Sequence, residues 1–157
     1  MGPRETMSLL DFVKTREGCE HRRRDGTVIA YWDPFGKCFT IGYGSTGPHV
    51  TPGLVWTQAQ CEADLSRRLD QARAQLLALS PDVEWPEGAQ DALTDFVYNV
   101  GAGHYRTSQV RQHVEEGDWD GVRAHLLDWE SAGGKRLAGL VARREGEAAM
   151  IESPLVA

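Results

Sequence analysis

Glu17, Asp33 and Thr40 are the residues of this chain whose types and spacing could do chemistry. Glu17 closes the amphipathic run "LLDFVKTRE", Asp33 stands in the turn of "AYWDPFG", and Thr40 opens "TIGYGST". Acid–base cleavage of a glycosidic bond needs two carboxyl groups in unlike surroundings. One stays protonated to donate its proton, and the other stays ionised to activate water or stabilise positive charge. A glutamate at the C-terminal end of a helix faces the negative pole of the helix dipole, which disfavours its anion. An aspartate in an open polar turn keeps its charge in water. The pair has that chemistry in outline, although the chain carries 23 acids and most of them must serve as surface solvation.

The elements that would position these groups follow from local signals. Ser8, with Asp11 three residues on, marks a helix start; Leu9, Leu10, Phe12 and Val13 form its apolar stripe, and Gly18 ends it. From Cys19 to Thr46, β-branched and aromatic runs broken by "DG" and "DPFG" read as two or three short antiparallel strands joined by tight turns. A second helix opens on the capping box Thr57–Gln60, repeats Leu65, Leu69, Leu76 and Leu79, and runs to about Ser80 ahead of Pro81, a length of roughly 35 Å. The remainder reads as helices. "ALTDFVYNVG" has Leu93, Phe96, Val97 and Val100 on one face and is closed by "GAG"; further helices start at Thr107, at Asp118, and after the Gly133–Gly134 pair, the last ending near Pro154. The fold class is α+β within a single domain over 1–157. A small β-hairpin N-terminal lobe (8–56) precedes a long connecting helix (57–80) and a mainly helical C-terminal lobe (81–157). A cleft between two such lobes is the expected place for a ligand.

Composition narrows the partners. A chain of 157 residues with 41% hydrophobic side chains can bury a core. Its net charge of -6 argues against a dedicated nucleic-acid binder. No apolar run approaches the ~20 residues of a membrane helix, and "MGPRETMSLLDF" lacks the apolar region of a secretory signal. The expectation is a soluble monomer, made in the cytoplasm of its host. Cys19, Cys38 and Cys61 have no metal-type spacing and the five histidines are scattered, so neither a metal, a cofactor nor a disulfide framework is expected.

Taken in order, "REG" at a helix end, "AYWDPFG", "TIGYGST", "ALTDFVYNVGAG" and "GDWDGVRAHLLDWESAGGKRLAGLVARREGEAAM" resemble the phage-type lysozymes, or endolysins, of glycoside hydrolase family 24, which includes the T-even phage lysozyme. The resemblance runs from Leu9 to Glu152. It implies a lysozyme-like fold, bacterial peptidoglycan as substrate, action on the cell wall after release, and no cofactor. It further implies inverting cleavage of the β-1,4 bond between N-acetylmuramic acid and N-acetylglucosamine. Glu17 would be the general acid, with Asp33 and Thr40 positioning and activating water; Tyr43, Asn99 and Ser108 match substrate-side positions. Two intervals are longer than the family's: 15 residues separate Glu17 from Asp33, with the extra length around "CEHRRRDGTV", and six separate Asp33 from Thr40. A longer hairpin would absorb the first and a bulge the second. Asp25 competes with Asp33 by distance from Glu17, but its "DG" context reads as a hairpin tip. Pesticin-like bacteriocin killing domains share the architecture, and a wall-binding module with weakened catalysis is a further alternative. "HRRR" at 21–24 reads as a solvated hairpin or a wall contact, and Tyr31, Trp32 and Tyr43 as core or as sugar-stacking rings. Trp129 reads as core, with one of Arg136, Arg143 and Arg144 paired to an acid such as Glu147.

Overall fold

The computed structural model describes residues 8–151. In chain order these form α1 (Leu9–Glu17), β1 (Val28–Ile29), β2 (Tyr31–Asp33), β3 (Cys38–Thr40), β4 (Val55–Trp56), α2 (Gln58–Leu79), α3 (Ala89–Val100), α4 (Ala102–Thr107), α5 (Gln109–Glu116), α6 (Trp119–Leu126), a 3-10 turn (Leu127–Trp129), β5 (Ser131–Ala132), β6 (Lys135–Arg136) and α7 (Ala138–Met150). The α+β class is borne out. The chain divides into two compact units between Arg68 and Leu69, within α2.

In the first unit the caps form where the sequence puts them. Ser8 Oγ accepts from the Asp11 amide at 3.1 Å, and Gly18, at φ 66°, ends α1. The Thr57–Gln60 box is reciprocal: the Thr57 amide donates to Gln60 Oε1 at 2.8 Å and the Gln60 amide to Thr57 Oγ1 at 3.1 Å. Two antiparallel ladders carry the hairpins. β1 pairs with β4, and β2 with β3, setting Tyr31 opposite Thr40 and Asp33 opposite Cys38. The period-2 alternation puts Trp32 and Phe39 together on the other face, where their rings meet edge-on at 5.3 Å. Phe12, Val13, Val28, Ile41, Tyr43, Cys61 and Leu65 are buried in this unit.

The second unit surrounds α3. Leu93, Phe96 and Val97 are buried, as their spacing predicts, together with Leu76, Tyr105, Val122 and Leu126. Burial extends past that stripe to Asp95, which receives two hydrogen bonds from Arg143 of α7, at 2.9 and 2.7 Å. One turn on, Arg144 Nη2 donates to Asn99 Oδ1 at 2.7 Å and to Glu147 Oε2 at 3.0 Å, while its carbon lies 5.0 Å from the centre of the Phe96 ring. Arg144 Nε and Glu147 Oε1 also stand 2.8 Å apart, an ion pair that does not meet hydrogen-bond geometry. The expected arginine–Glu147 pair is thus present, as Arg144–Glu147. Gly88 lets the two helices approach this closely: a side-chain carbon there would fall 1.9 Å from the Met150 carbonyl oxygen.

Two sequence expectations are corrected here, and a third, that "GAG" closes α3, is borne out and extended. "GAG" does more than close α3, because Gly101 ends that helix and α4 starts at once at Ala102. α5 is capped by Ser108 instead of Thr107, its Oγ accepting from the Arg111 amide at 3.1 Å. The Gly133–Gly134 pair does not open α7. Its φ values of 58° and 79° make it the turn of the β5–β6 hairpin, since left-handed backbone at both central positions suits a two-residue hairpin loop. The Leu137 amide then donates to Glu130 O at 3.0 Å, and α7 begins at Ala138. The expected helix end near Pro154 lies outside the described residues; α7 stops at Met150.

The two buried carboxyls are pushed in opposite directions. Burial pushes Asp95 up, but the Arg143 hydrogen bonds and one from Glu147 outweigh it and hold Asp95 below the usual range. At Glu147, burial and the hydrogen bond with Asp95 prevail over Arg144 and raise the carboxyl well above its ordinary value. Asp95's contribution to stability is therefore lost as pH falls through its depressed pKa. Glu147's is present below an ordinary glutamate pKa and lost as pH rises through its raised folded value. Glu147→Gln keeps a donor towards Asp95 and removes that titration. Between about pH 5 and pH 8 its thermal midpoint should fall less than the wild type's; parallel declines in scanning calorimetry would refute the raised Glu147 carboxyl. Arg143→Ala, which strands Asp95 in the interior, should cost about 3–5 kcal/mol in denaturant unfolding.

Candidate active site

Glu17, Asp33 and Thr40 all lie in the first unit, each delivered by a different element. Glu17 is the last residue of α1, half-buried, where Gly18 turns the chain away. Its carboxyl lies against the turn that follows Thr40: a side-chain carbon on Gly44 would be 4.0 Å from Glu17 Oε2. That turn is closed by Ile41 and Ser45, whose amides and carbonyls exchange hydrogen bonds at 3.0 and 2.9 Å.

Side chains of α2 fasten the same turn. Arg68 Nη2 donates to Tyr43 O at 3.0 Å, Arg68 Nε to Asp64 Oδ2 at 2.9 Å, and Gln58 Nε2 to the Tyr43 hydroxyl at 2.9 Å. Ser45 Oγ lies 3.4 Å from Asp64 Oδ1 and 3.2 Å from His49 Nε2. This is not a hydrolase triad, because the acid meets the serine and not the histidine. Arg68 and Asp64 were not singled out in the sequence. Their only local signal is the i, i+4 spacing, which describes any surface pair on a helix.

Thr40 ends β3 with 5% of its surface exposed, and its Oγ1 has no hydrogen-bond partner among the described residues. A buried hydroxyl left so costs about 1–3 kcal/mol. Asp33 stands where β2 enters its turn. Its Oδ1 accepts from the Phe35 amide at 2.9 Å, and its Oδ2 folds over Gly36, 2.8 Å from where a side-chain carbon would sit. Asp25 has the same local habit without the neighbourhood. It is exposed in the tight turn between Arg23 and Thr27, and the Thr27 hydroxyl and amide hold its carboxyl below the usual range.

The other expected positions differ from a sugar-lined surface. Tyr43 is only 5% exposed and is packed, so it does not offer the free ring face expected of a stacking residue. Tyr31 stacks on His21 at 4.3 Å, whereas Trp32 is exposed. Asn99 and Ser108 belong to the second unit. Asn99 Oδ1 is taken by Arg144, and Ser108 Oγ donates to Tyr105 O at 2.7 Å while capping α5. Ser108 also lines a cavity of about 390 Å³ with Thr107, Gln109, His125, Asp128 and Trp129. Trp129 is half-buried against Phe96, their rings 5.6 Å apart. Arg22 is engaged with Gln58 Oε1 and Gly26 O, at 2.6 and 2.9 Å. The cysteines are free, and the neighbour of buried Cys61 is Cys19. Burial and that neighbour push the Cys61 thiol up to about 12.

A family model for phage lysozyme matches residues 16–147, a span that includes Glu17, the Thr40 turn and the α3–α7 network. The chain belongs to the phage lysozyme family. It is 42% identical over 108 residues to a SAR-endolysin of bacteriophage PS119, covering 69% of this chain and 64% of that protein. It is 39% identical over 121 residues to the SAR-endolysin of Enterobacteria phage PA-2, covering 77% and 72%. The chain thus spans about two thirds of the first of these relatives. Among solved structures, the muramidase domain of SpmX from Asticaccaulis excentricus superposes with a TM-score of 0.79 at 25% identity, covering 96% of this chain and all of that one. The active form of the P1 phage endolysin Lyz gives 0.77 at 25%, covering 96% and 85%. The lysozyme-like fold is borne out by these likenesses. No described helix of this phage lysozyme relative is long and apolar enough to cross a membrane.

Thr40 offers a test independent of any assay substrate. Thr40→Val removes the orphaned hydroxyl at nearly constant shape, so stability should stay level or rise by about 1 kcal/mol. A fall of several kcal/mol in denaturant melts would mean that the hydroxyl is satisfied in the fold.

Proposed function

We propose that this chain is a peptidoglycan-cleaving lysozyme that works by inverting general acid–base catalysis without a cofactor. In finer terms it is an N-acetylmuramidase of the glycoside hydrolase family 24 type. Glu17 protonates the oxygen of the departing sugar as the β-1,4 bond between N-acetylmuramic acid and N-acetylglucosamine breaks. Water activated by Asp33 and oriented by the Thr40 hydroxyl attacks the opposite face of the ring, whose oxocarbenium-like charge the Asp33 carboxylate stabilises. The observation that carries this reading is the Glu17 carboxyl at the exit of α1, against the glycine turn that follows Thr40. The unpartnered, buried Thr40 hydroxyl supports the water-holding role. The turn geometry supports Asp33 over Asp25, since Asp33 shares its ladder with Thr40 whereas Asp25 caps an exposed loop.

Glu17→Gln should abolish clearing of a bacterial wall suspension and release of reducing sugar, with an unchanged circular dichroism spectrum. Retained activity would sink the role given to Glu17. Asp33→Asn should lower the rate by about 100-fold or more, while Asp25→Asn leaves it within a few-fold; the reverse order would move the second carboxyl to Asp25. Thr40→Ser should retain activity that Thr40→Val loses. If wild-type protein pulls down with walls but releases no reducing sugar, the chain is a wall-binding module instead.

A further inference from the structure

The corner between α5 and α6 gathers groups that the lysozyme reading leaves unused. Glu116 is the last residue of α5, His113 lies one turn before it, and Asp118 caps α6. His113 Nδ1 is 3.0 Å from Asp118 Oδ2 and 3.9 Å from Glu116 Oε2, and one ligand atom from each of the three residues falls within 4.8 Å of the others. Donors about 2.0–2.2 Å from one ion stand about 3.0–3.5 Å apart at tetrahedral or cis angles, so small rotamer shifts bring this triad onto a single centre.

Two neighbours shape the corner. Gly121 is the first. A side-chain carbon there would lie 2.4 Å from His113 Nδ1 and 2.5 Å from Asp118 Oδ2. Glycine weakens a helix by about 1 kcal/mol relative to alanine, and here it keeps open the space beside the donor edge of the ring. The second is His125, whose ring stacks on His113 at 4.6 Å and 16° while its own Nδ1 meets Asp128 Oδ2 at 2.8 Å. Parallel rings cannot both aim a nitrogen at one ion, so His125 is a positioning residue and not a ligand. The electrostatics agree. α5 ends in two acids, at the pole where the helix dipole disfavours negative charge. Glu115 is paired with Arg111 at 2.8 Å, whereas Glu116 reaches only His113 among the described residues.

We propose that the α5–α6 corner binds a divalent transition ion of the zinc type through His113 Nδ1, Asp118 and Glu116. One imidazole with two carboxylates suits zinc or its first-row neighbours better than magnesium, which prefers oxygen donors alone.

Calorimetric titration of the metal-stripped protein with zinc chloride, with magnesium chloride as control, tests the site. The expected result is one zinc ion bound per chain, a higher thermal midpoint with zinc, and neither with magnesium. Glu116→Gln, at an exposed position, and Asp118→Asn, which keeps the helix cap, should each weaken zinc binding by about tenfold or more. Gly121→Ala, which retains all three donors and fills the space, should do the same. Absence of zinc binding to the wild type would overturn the proposal. Binding unchanged in Glu116→Gln and Asp118→Asn would also overturn it, leaving His113–Asp118 as a hydrogen-bonded clasp. Wall-lytic activity does not enter this test.

Discussion

Arg143 and Arg144 are charges taken out of water, and the second unit is organised around keeping them paired. Removing an ion from solvent costs several kcal/mol unless a partner and further hydrogen bonds replace the lost hydration. Asp95, Asn99 and Glu147 supply them from two helices. Apolar side chains tolerate small slides, but a bidentate guanidinium–carboxylate pair does not. α3 and α7 are therefore held in one register, and the close pass of Gly88 beneath Met150 fits that register. The Phe96 ring completes the arrangement by offering its face to Arg144 and standing nearly perpendicular to the rings of Tyr105 and Trp129.

The first unit solves a different problem. Its strands are two or three residues long, too short to be held by ladder pairing alone. Rigidity comes from polar pins on the backbone. Arg68 and Gln58 hold the Tyr43 turn from α2, and this turn faces Glu17. These pins fix the surface that the Glu17 carboxyl meets. Fixing the facing turn to a long helix is therefore an economical way to keep a small lobe exact.

What was legible in the sequence is mostly what is local. The caps at Ser8, Thr57 and Asp118 act over three residues, so residue type and spacing disclose them. The apolar stripe of α3 was legible for the same reason. The β5–β6 hairpin was not, because a glycine pair marks a chain reversal and the start of a new helix equally well, and strands of two residues carry no alternation to read. Tyr43 was ambiguous because aromatic rings serve both cores and sugar sites. The partners of Asn99 and Arg68 lie 45 and 25 residues away, a separation at which composition says nothing. At the candidate site, Glu17 stood out as a glutamate at a helix end, whereas Thr40 entered only through the resemblance of "TIGYGST" to the family's motif. Asp25 rivalled Asp33 because it lies nearer to Glu17 along the chain, and both carboxylates accept from the amide two residues on.

The exposed turn between Arg23 and Thr27 closes on itself, with the Arg23 amide donating to Thr27 O at 2.7 Å and Asp25 capping the loop from within. Its contacts are its own apart from the Arg22 side chain, which ties the Gly26 carbonyl to Gln58, and the paired strand begins only after it. Lengthening such a loop costs little, about 0.6 kcal/mol for each doubling. Its length can therefore change with little effect on the packing around Glu17. The same independence makes this turn the natural place to graft a targeting peptide, giving the protein a new address while its interior stays as it is.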